Sequence, residues 1–592
     1  MEMNFSLFSL IIRCPGRDGP CPGSDPVVFM HSKWPPSPFS PQGKAMHRLA
    51  MPAVLPVILC LLVALFPAVC MAGDTTAPGE SSPHEPASQE SAPAALPPSP
   101  EPAISRLTIQ ETREAIDRLL SIVEVNLPDL RYGIRLVRGD DGQVLVDHNP
   151  EESFVPASNA KIVTSAAVLY HLGAAHRFQT SLYVRGNSLK AGVVTGPLYL
   201  QGGGDPTLVY EKVWRICRQL KAMGLTQITG GIVVDTGLFS ETFIPGADFE
   251  TNDFAYQAPP GPLSVSYNAF EIYVNPGPAN APARVHVEPP LQDLITVRNQ
   301  AVTSSRSTRL ALDTSYRRDG GITLTVKGRI NAKGGVQTYY RRVRAPWRYS
   351  GEVFKSLLQQ EGIEVKGKVS KGQVPARATC LLTHHSEPLG QMVATINKAS
   401  NNFMTETVLL AASGSQAGRP GSYAKGRELV AAFLHDLGVD DQGFAMENAS
   451  GLGLNNRVTP AFLTDLLQAV RHNPVFGPEF LASLALGSQD GTLRNRLENL
   501  APGSVLRAKT GTLEDALALS GYLTGADGID KTFSVLVNGC PKDQRSACVA
   551  FIDLVAELFS RLSLAPEPGE NPGDRRKCGD NAPFPSGYPL AH

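Results

Sequence analysis

Closely spaced CxxC cysteines, long basic runs and metal-binding motifs are missing from this sequence of 592 residues. No CxxC pair occurs, which argues against a zinc ribbon, and no HExxH motif accompanies the scattered histidines. The formal net charge is −1 and no long Lys/Arg run appears, so the basic face of a nucleic-acid binder is absent. The glycines of QGGGDP lack the GK[ST] of a phosphate-binding loop. We therefore predict no cofactor, no metal and no nucleic-acid partner.

The N-terminal part contains an apolar stretch over residues 51–69, preceded by His47 and Arg48. A short basic region, an apolar run and a small residue after it are typical of a secretory signal peptide. We predict a signal peptide over 46–72, with 1–45 as an over-extended start, and hence a periplasmic or otherwise extracytoplasmic protein. The alternatives are a retained anchor, which the run is nearly long enough to form, and peripheral membrane association.

Two segments, 73–104 and 565–592, are rich in proline and small or polar residues and poor in large apolar ones. Such segments cannot bury enough surface to offset the entropy lost on ordering, so we predict a disordered linker and a disordered tail. Export permits a disulfide, and Cys540 and Cys548 are the nearest pair among the five cysteines that follow the signal peptide. Free, mostly buried thiols are the alternative.

The predicted secondary structure changes twice between these segments. Helical spacing and an alternating hairpin pattern over 105–176, and further helical runs over 392–564, flank short β-rich runs over 177–391. The overall content is 42% hydrophobic and 18% charged residues, which is ordinary for a folded protein. This order predicts one mixed α+β domain that is interrupted by a long insertion.

Three short motifs could carry chemistry: Ser158-Asn159-Ala160-Lys161, Ser400-Asn401-Asn402 and Lys509-Thr510-Gly511. A serine hydroxyl is a weak nucleophile until a base takes its proton, and positions three apart lie on one face of a helix. Lys161 can be that base only when it is neutral, which burial or a nearby cation such as Lys509 would favour. Gly511 removes a side chain where a substrate backbone could pair with the strand edge.

Each motif alone has low specificity. Ser422-Tyr423-Ala424-Lys425 repeats the first pattern and Ser266-Tyr267-Asn268 repeats the second, so chance could produce either. The KTG triplet occurs once in the chain, and by itself it would also suit an exposed turn. The combination, in this order, is the signature of penicillin-binding proteins and related β-lactamases.

The chain resembles the class C low-molecular-mass penicillin-binding proteins, the D-alanyl-D-alanine carboxypeptidase/endopeptidase family, from Leu107 to Leu562. The resemblance lies in FVPASNAKIVTSAA, QGGGDPTL, INKASNNFMTE, SGLGLNNRVTP, DGTLRNRL and RAKTGTL, and in the very long insertion between the first two motifs. It implies a β-lactamase/transpeptidase-like domain, an antiparallel sheet flanked by helices. It also implies that 177–391 forms two smaller β-rich domains, one nested in the other.

The resemblance implies a serine DD-peptidase that acts on peptidoglycan stem peptides. Ser158 would attack the carbonyl between two D-alanines and form an acyl-enzyme, with Lys161 as the base. Ser400, helped by Asn402, would pass a proton to the leaving amine. The backbone N–H groups of Ser158 and Thr512 would form the oxyanion hole, and β-lactams would acylate Ser158 by mimicking the substrate.

The resemblance also implies residues that bind the substrate. Lys509 with Thr510 or Thr512 would hold the substrate carboxylate. Asp253 and Tyr256 lie in TNDFAYQAPP, where relatives bind the diamino-acid side chain of the stem peptide. A surface carboxylate and a packed ring are the alternative for these two residues.

Two other functions stay open at this point. A serine β-lactamase would share the three motifs but release the drug quickly, although the very large insertion argues against it. A catalytically silent wall-binding scaffold is disfavoured by the intact motifs. The sequence also departs from the family pattern at Asn448-Ala449, where an Asp–Gly pair commonly precedes SGL; we expect no catalytic consequence.

Overall fold

A computed structural model describes residues 106–248 and 252–564 of the chain. The predicted over-extended start, signal peptide, linker and tail (1–45, 46–72, 73–104 and 565–592) lie outside these residues. Within the described part, no helix combines the length and the apolar character needed to span a bilayer.

The described residues form ten α-helices. In chain order these are α1 Ile109–Asn126, α2 Ala160–Leu172, α3 Tyr210–Ala222, α4 Pro346–Gln360, α5 Leu389–Ala399, α6 Asn402–Gln416, α7 Tyr423–Asp436, α8 Pro460–Arg471, α9 Gly477–Ser483 and α10 Arg545–Arg561.

The strands fall into two groups along the chain. The first group is β1 Arg131–Arg138, β2 Val144–His148, β18 Ala485–Leu486, β19 Val505–Thr512, β20 Ala516–Thr524 and β21 Asp530–Asn538. The second group is β3 Gln179–Arg185, β4 Leu189–Lys190, β5 Val193–Val194, β6 Leu198–Gly202, β7 Gln227–Ile228, β8 Ile232–Asp235, β9 Ala269–Asn275, β10 Arg284–Glu288, β11 Ile295–Ser304, β12 Arg309–Tyr316, β13 Ile322–Asn331, β14 Gln337–Arg342, β15 Glu364–Val365, β16 Val369–Gly372 and β17 Ala378–His385.

The first group forms one antiparallel six-stranded sheet in the order β18-β19-β20-β21-β1-β2. Strands that are far apart in the chain are neighbours in this sheet, where Arg131 of β1 pairs with Asn538 of β21. Nearly every residue of β20 and β21 is buried, as expected for strands covered on both faces. One face packs against α1 and α10, and the other against the cluster built from α2 and α5–α9. The predicted α+β class, an antiparallel sheet flanked by helices, is therefore confirmed.

The second group of strands builds the insertion. A five-stranded sheet (β16-β8-β6-β3-β17) and a four-stranded sheet (β15-β7-β5-β4) carry α3 and α4, and two three-stranded sheets lie between their strands in chain order. One contiguous apolar cluster runs through all of this segment. The sequence predicted a β-rich segment, and these two helices were not predicted. Helix α3 buries Val213, Ile216, Cys217 and Leu220, a spacing that puts them on one helix face.

Phe154 anchors the segment that leads to the first motif. Its side chain is fully buried, and its backbone exchanges hydrogen bonds with Val458 of 2.9 and 3.0 Å. Gly133 of β1 makes room for the ring, because a Cβ there would lie 2.5 Å from the Phe154 ring. Farther along, a disulfide between Cys540 and Cys548 links the end of β21 to α10.

We predict that Phe154→Ala lowers the free energy of unfolding by about 3–5 kcal/mol, the usual cost of emptying a buried aromatic site. Urea denaturation measures this. The matched control is Phe243→Ala, because Phe243 is 50% exposed; its effect should stay within about 0.5 kcal/mol. Equal losses in the two variants would contradict the anchoring role.

Candidate active site

Ser158 lies in a short 3₁₀ turn, Ala157–Asn159, that leads directly into α2. The sequence predicted one helix over this stretch, and its first turn is instead 3₁₀. Ala157 has a φ of 47°, a backbone conformation that costs energy for a residue with a side chain. Ser158 is half-buried, and its position at the start of α2 puts the helix N-terminus beside the hydroxyl.

Lys161, one turn further on, is fully buried and makes three polar contacts. Its Nζ lies 2.9 Å from Ser158 Oγ, 2.7 Å from Asn402 Oδ1 and 2.7 Å from the Ser450 carbonyl oxygen. The Asn402 amide is oriented by its other end, which donates to the Tyr256 carbonyl oxygen at 3.1 Å. Carbonyl oxygens can only accept hydrogen bonds, so a neutral Lys161 donates its two N–H groups to Asn402 Oδ1 and to the Ser450 carbonyl oxygen. Its lone pair then points at the Ser158 hydroxyl.

The charge state of Lys161 follows from its surroundings. Burial lowers the pKa of Lys161 to about 7, and the carboxylate of Glu406 opposes part of this change. An amine with such a pKa is partly free at neutral pH and can act as a general base.

The second and third motifs meet at another lysine. Helix α5 ends at Ala399 and Ser400 adopts the left-handed conformation, with a φ of 55°, before Asn401 caps α6. Lys509 is fully buried, and its Nζ donates to Ser400 Oγ at 2.9 Å and to the Thr510 carbonyl at 2.7 Å. Burial holds the pKa of Lys509 well below its usual value, and the nearby Lys161 adds to this effect.

Gly511 serves packing at this site. A Cβ there would lie 2.6 Å from the Pro156 carbonyl oxygen and 3.2 Å from the Ala157 Cβ. The glycine therefore lets β19 approach the segment that carries Ser158. The predicted role of Gly511 in making room for substrate backbone stays a prediction. On this edge of β19, β18 pairs only with Arg507 and Ala508, so the stretch from Lys509 to Thr512 has no partner there among the described strands.

The two threonines of the third motif differ in exposure. Thr510 is 6% exposed and its hydroxyl donates to Thr492 Oγ1 at 2.7 Å, whereas Thr512 is exposed. Thr492 belongs to the DGTLRNRL segment and was not predicted as a site residue.

Ser450 and Glu406 also belong to the site and were not predicted from the sequence. Ser450 contributes a backbone carbonyl, for which residue type gives no signal. Glu406 is fully buried and accepts from the Ala449 and Ser450 backbone N–H groups at 3.0 and 2.9 Å. It follows Asn402 by four positions on α6, so helical spacing alone placed it on the catalytic face.

Asn448, where the sequence departs from the family pattern, shapes the same turn. Its Oδ1 accepts from the Gly451 N–H at 2.9 Å and its Nδ2 donates to the Pro245 carbonyl at 2.9 Å. A carboxylate could not make the second bond.

Asp253 and Tyr256 lie beside the site in different ways. Asp253 forms an ion pair with Arg341 of β14, with 3.0 Å between Oδ1 and Nε, and accepts the Thr314 hydroxyl at 2.5 Å. Tyr256 bonds Asn402 through its main chain and stacks its ring on Phe254. Tyr256 thus contacts a residue of the second motif through its backbone, while Asp253 is engaged with Arg341 and Thr314.

The two repeated patterns carry no comparable arrangement. Ser422 caps α7 by accepting from the Lys425 N–H, and the Lys425 ammonium donates to carbonyls of the preceding loop. Asn268 is buried and donates to the Pro259 carbonyl and to Ser264.

Known proteins match most of the part of the chain that the structure describes. The model of the D-Ala-D-Ala carboxypeptidase 3 (S13) family matches residues 114–557. A D-alanyl-D-alanine carboxypeptidase from Actinomadura sp. (strain R39) is 32% identical over 452 residues, covering 74% of this chain and 82% of that protein. The carboxypeptidase DacB of Haemophilus influenzae is 26% identical over 414 residues, covering 68% and 84%.

One solved structure shares the fold over a similar extent. Penicillin-binding protein 4 from Haemophilus influenzae superposes with a TM-score of 0.66 at 22% identity, covering 75% of this chain and 99% of that one.

We predict that Gly451→Ala slows acylation by a β-lactam about 100-fold, because an ångström-scale displacement at a catalytic group costs this much. A Cβ at Gly451 would lie 1.8 Å from the Ala157 carbonyl oxygen, next to Ser158. Gly503→Ala is the control: its φ of 82° is similar to the 77° of Gly451, but nothing lies within 4 Å of the added atom. Stopped-flow acylation with a fluorescent penicillin measures both. Equal slowing would assign the effect to backbone strain.

Proposed function

Because the chain belongs to the D-Ala-D-Ala carboxypeptidase 3 (S13) family, we propose that Ser158, Lys161, Ser400, Asn402 and Lys509 are its catalytic residues. The protein is a D-alanyl-D-alanine carboxypeptidase, a serine hydrolase that acts on peptidoglycan peptides. The observation that carries the assignment is the 2.9 Å contact between Lys161 Nζ and Ser158 Oγ.

Acylation begins with the transfer of the Ser158 hydroxyl proton to the lone pair of Lys161. Ser158 Oγ attacks the carbonyl carbon between the two D-alanines, and the N–H groups of Ser158 and Thr512 hold the resulting oxyanion. Collapse of this intermediate breaks the C–N bond. One such backbone donor is typically worth about 100- to 1,000-fold in rate.

The leaving amine needs a proton as the bond breaks. Ser400 delivers it, and the proton that Lys161 took from Ser158 replaces the one that Ser400 gives up, so Lys161 is neutral again before deacylation. The ammonium of Lys509, 2.9 Å from Ser400 Oγ, stabilises the transient alkoxide and keeps its own proton. Water then attacks the acyl-enzyme, Lys161 takes the water proton, and Ser158 leaves with a proton from the lysine. The cycle ends with both groups in their starting states.

Substrate orientation comes from the third motif. Lys509 with Thr510 or Thr512 holds the terminal carboxylate, and the open edge of β19 pairs with the peptide backbone. Contact of Asp253 with a diamino-acid side chain would require its carboxylate to exchange Arg341 for the substrate amine. The same site would cleave D-alanyl cross-links, an endopeptidase activity.

β-Lactams are ligands of the same site. One relative's structure, that of the Haemophilus influenzae penicillin-binding protein 4, was solved with a bound β-lactam. Peptidoglycan lies outside the cytoplasm, so we place the enzyme there, exported by the predicted signal peptide 46–72.

Labelled penicillin tests the assignment of the nucleophile. We predict a long-lived adduct on Ser158 that adds the full mass of the drug, because ring opening expels no atoms. Intact-mass and peptide mass spectrometry locate it. Ser158→Ala should abolish the adduct, whereas the control Ser422→Ala, in the matching pattern Ser422-Tyr423-Ala424-Lys425, should retain it.

The lifetime of the adduct separates the alternatives. Rapid release of hydrolysed drug would make the protein a β-lactamase, and a Ser158→Ala variant that still forms the adduct would refute the assignment.

The pH dependence tests the base. Lys161 must be neutral to accept the proton, and its pKa is about 7. We predict that the second-order rate constant of acylation falls about tenfold per pH unit as pH drops below about 7, because the ammonium form has no lone pair. A fluorescent penicillin assayed across this range measures the profile. An acid limb near about pH 4 would instead indicate a carboxylate base.

A further inference from the structure

Glu406 is a fully buried carboxylate for which the proposed reaction has so far given no role. It projects from α6 toward the turn that follows Asn448. Both of its oxygens are used there: Oε2 accepts from the Ala449 N–H at 3.0 Å and Oε1 from the Ser450 N–H at 2.9 Å. A buried carboxylate is costly, and an apolar side chain of similar size often stabilises a fold equally well. Its presence beside the catalytic base therefore suggests a function.

The contacts form a short chain from the carboxylate to the base. Glu406 holds Ser450 by its N–H, and Ser450 presents its carbonyl to Lys161 Nζ at 2.7 Å. That carbonyl is one of the two acceptors that leave the Lys161 lone pair facing Ser158. Moving the Ser450 carbonyl would let the amine turn away from the nucleophile.

The charges around Lys161 also favour a neutral amine at this site. Among the described residues, the ionisable groups that act on Lys161 and Lys509 are these two lysines and Glu406. On its other side Glu406 faces Tyr423 of α7, whose backbone N–H in turn bonds Glu241. One carboxylate balances one ammonium. A second buried ammonium would remain uncompensated, so one lysine is favoured as the neutral amine.

We propose that Glu406 is a positioning residue for the general base: it fixes the Ser450 carbonyl against Lys161 and balances the charge of one of the two buried lysines. The proposal rests on the proposed role of Lys161 as the base.

Glu406 and Lys161 each shift the pKa of the other group. Burial raises the pKa of Glu406, while hydrogen bonds from Ser450 and Ala449 and the charge of Lys161 oppose the rise. In return, the Glu406 charge favours the ammonium form of Lys161 and so raises the pKa of this lysine. Removing the charge should lower the pKa of Lys161 further.

The test is the pH profile of acylation by a fluorescent penicillin in Glu406→Gln. We expect the acid limb to move to lower pH by about one unit, the smaller end of the effect of a neighbouring opposite charge. We also expect the plateau rate to fall about tenfold, because the amide turns an N–H₂ group toward a backbone N–H and the base is weaker.

Glu557→Gln is the matched control. Glu557 is 7% exposed, and it lies on α10, whose apolar side packs with α1 and not with the α2 cluster. Removing this buried carboxylate should leave the acid limb where it is. If the limb moves equally in both variants, the effect is global and the proposal fails.

Other outcomes are equally decisive. A uniform loss of rate in Glu406→Gln with an unmoved acid limb would make Glu406 purely structural and overturn the proposal. If the Gln variant does not fold, Glu406→Ser also removes the charge and leaves space for a water to take the two N–H groups; the same shift is expected. If no neutral variant folds, the carboxylate serves stability and the proposal is wrong.

Failure of the proposed function looks different. It would appear as an adduct that persists in Ser158→Ala, whatever the profile of the Glu406 variants. Loss of the adduct in Ser158→Ala with no shift in Glu406→Gln would reject this inference alone.

Discussion

Two carbonyl oxygens decide what the Lys161 amine can do. The Asn402 side chain and the Ser450 backbone both accept from Nζ, and neither can donate to it. A neutral lysine must therefore direct its lone pair along the third contact, toward Ser158 Oγ. Nucleophile activation depends on this constraint, and much of the surrounding structure serves to maintain it.

The fold brings these groups together from distant parts of the chain. Ser158 and Lys161 come from the start of α2, Asn402 from the start of α6, and Ser450 from a turn held by Glu406 and Asn448. The insertion takes part through the Tyr256 carbonyl, which orients the Asn402 amide. The long insertion between the first two motifs is thus part of the candidate site, because one of its backbone oxygens sets the direction of the Asn402 side chain.

Much of the site could be predicted from the sequence because the chemistry depends on residue type. Ser158, Lys161, Ser400, Asn402 and Lys509 were predicted from three motifs. In the structure Lys161 bonds Ser158 and Asn402, and Lys509 bonds Ser400. Ser450 could not be found in this way, since its backbone carbonyl is the same in every residue. Glu406 could have been found from its spacing to Asn402. The Arg341 partner of Asp253 lies on a distant strand, and local sequence gives no sign of such a pairing. For the fold, alternating and helical patterns predicted the α+β class. The apolar face of α3 was not recognised, because the short runs around it are typical of strands.

Neutron crystallography on deuterium-exchanged crystals grown above about pH 8, more than one unit above the pKa of Lys161, tests the central claim most directly. It locates the hydrogens on Lys161 Nζ. The account predicts two deuterium atoms there, directed at Asn402 Oδ1 and the Ser450 carbonyl, and a Ser158 hydroxyl that donates to Nζ. Three deuterium atoms on Lys161, with one directed at Ser158 Oγ, would contradict it.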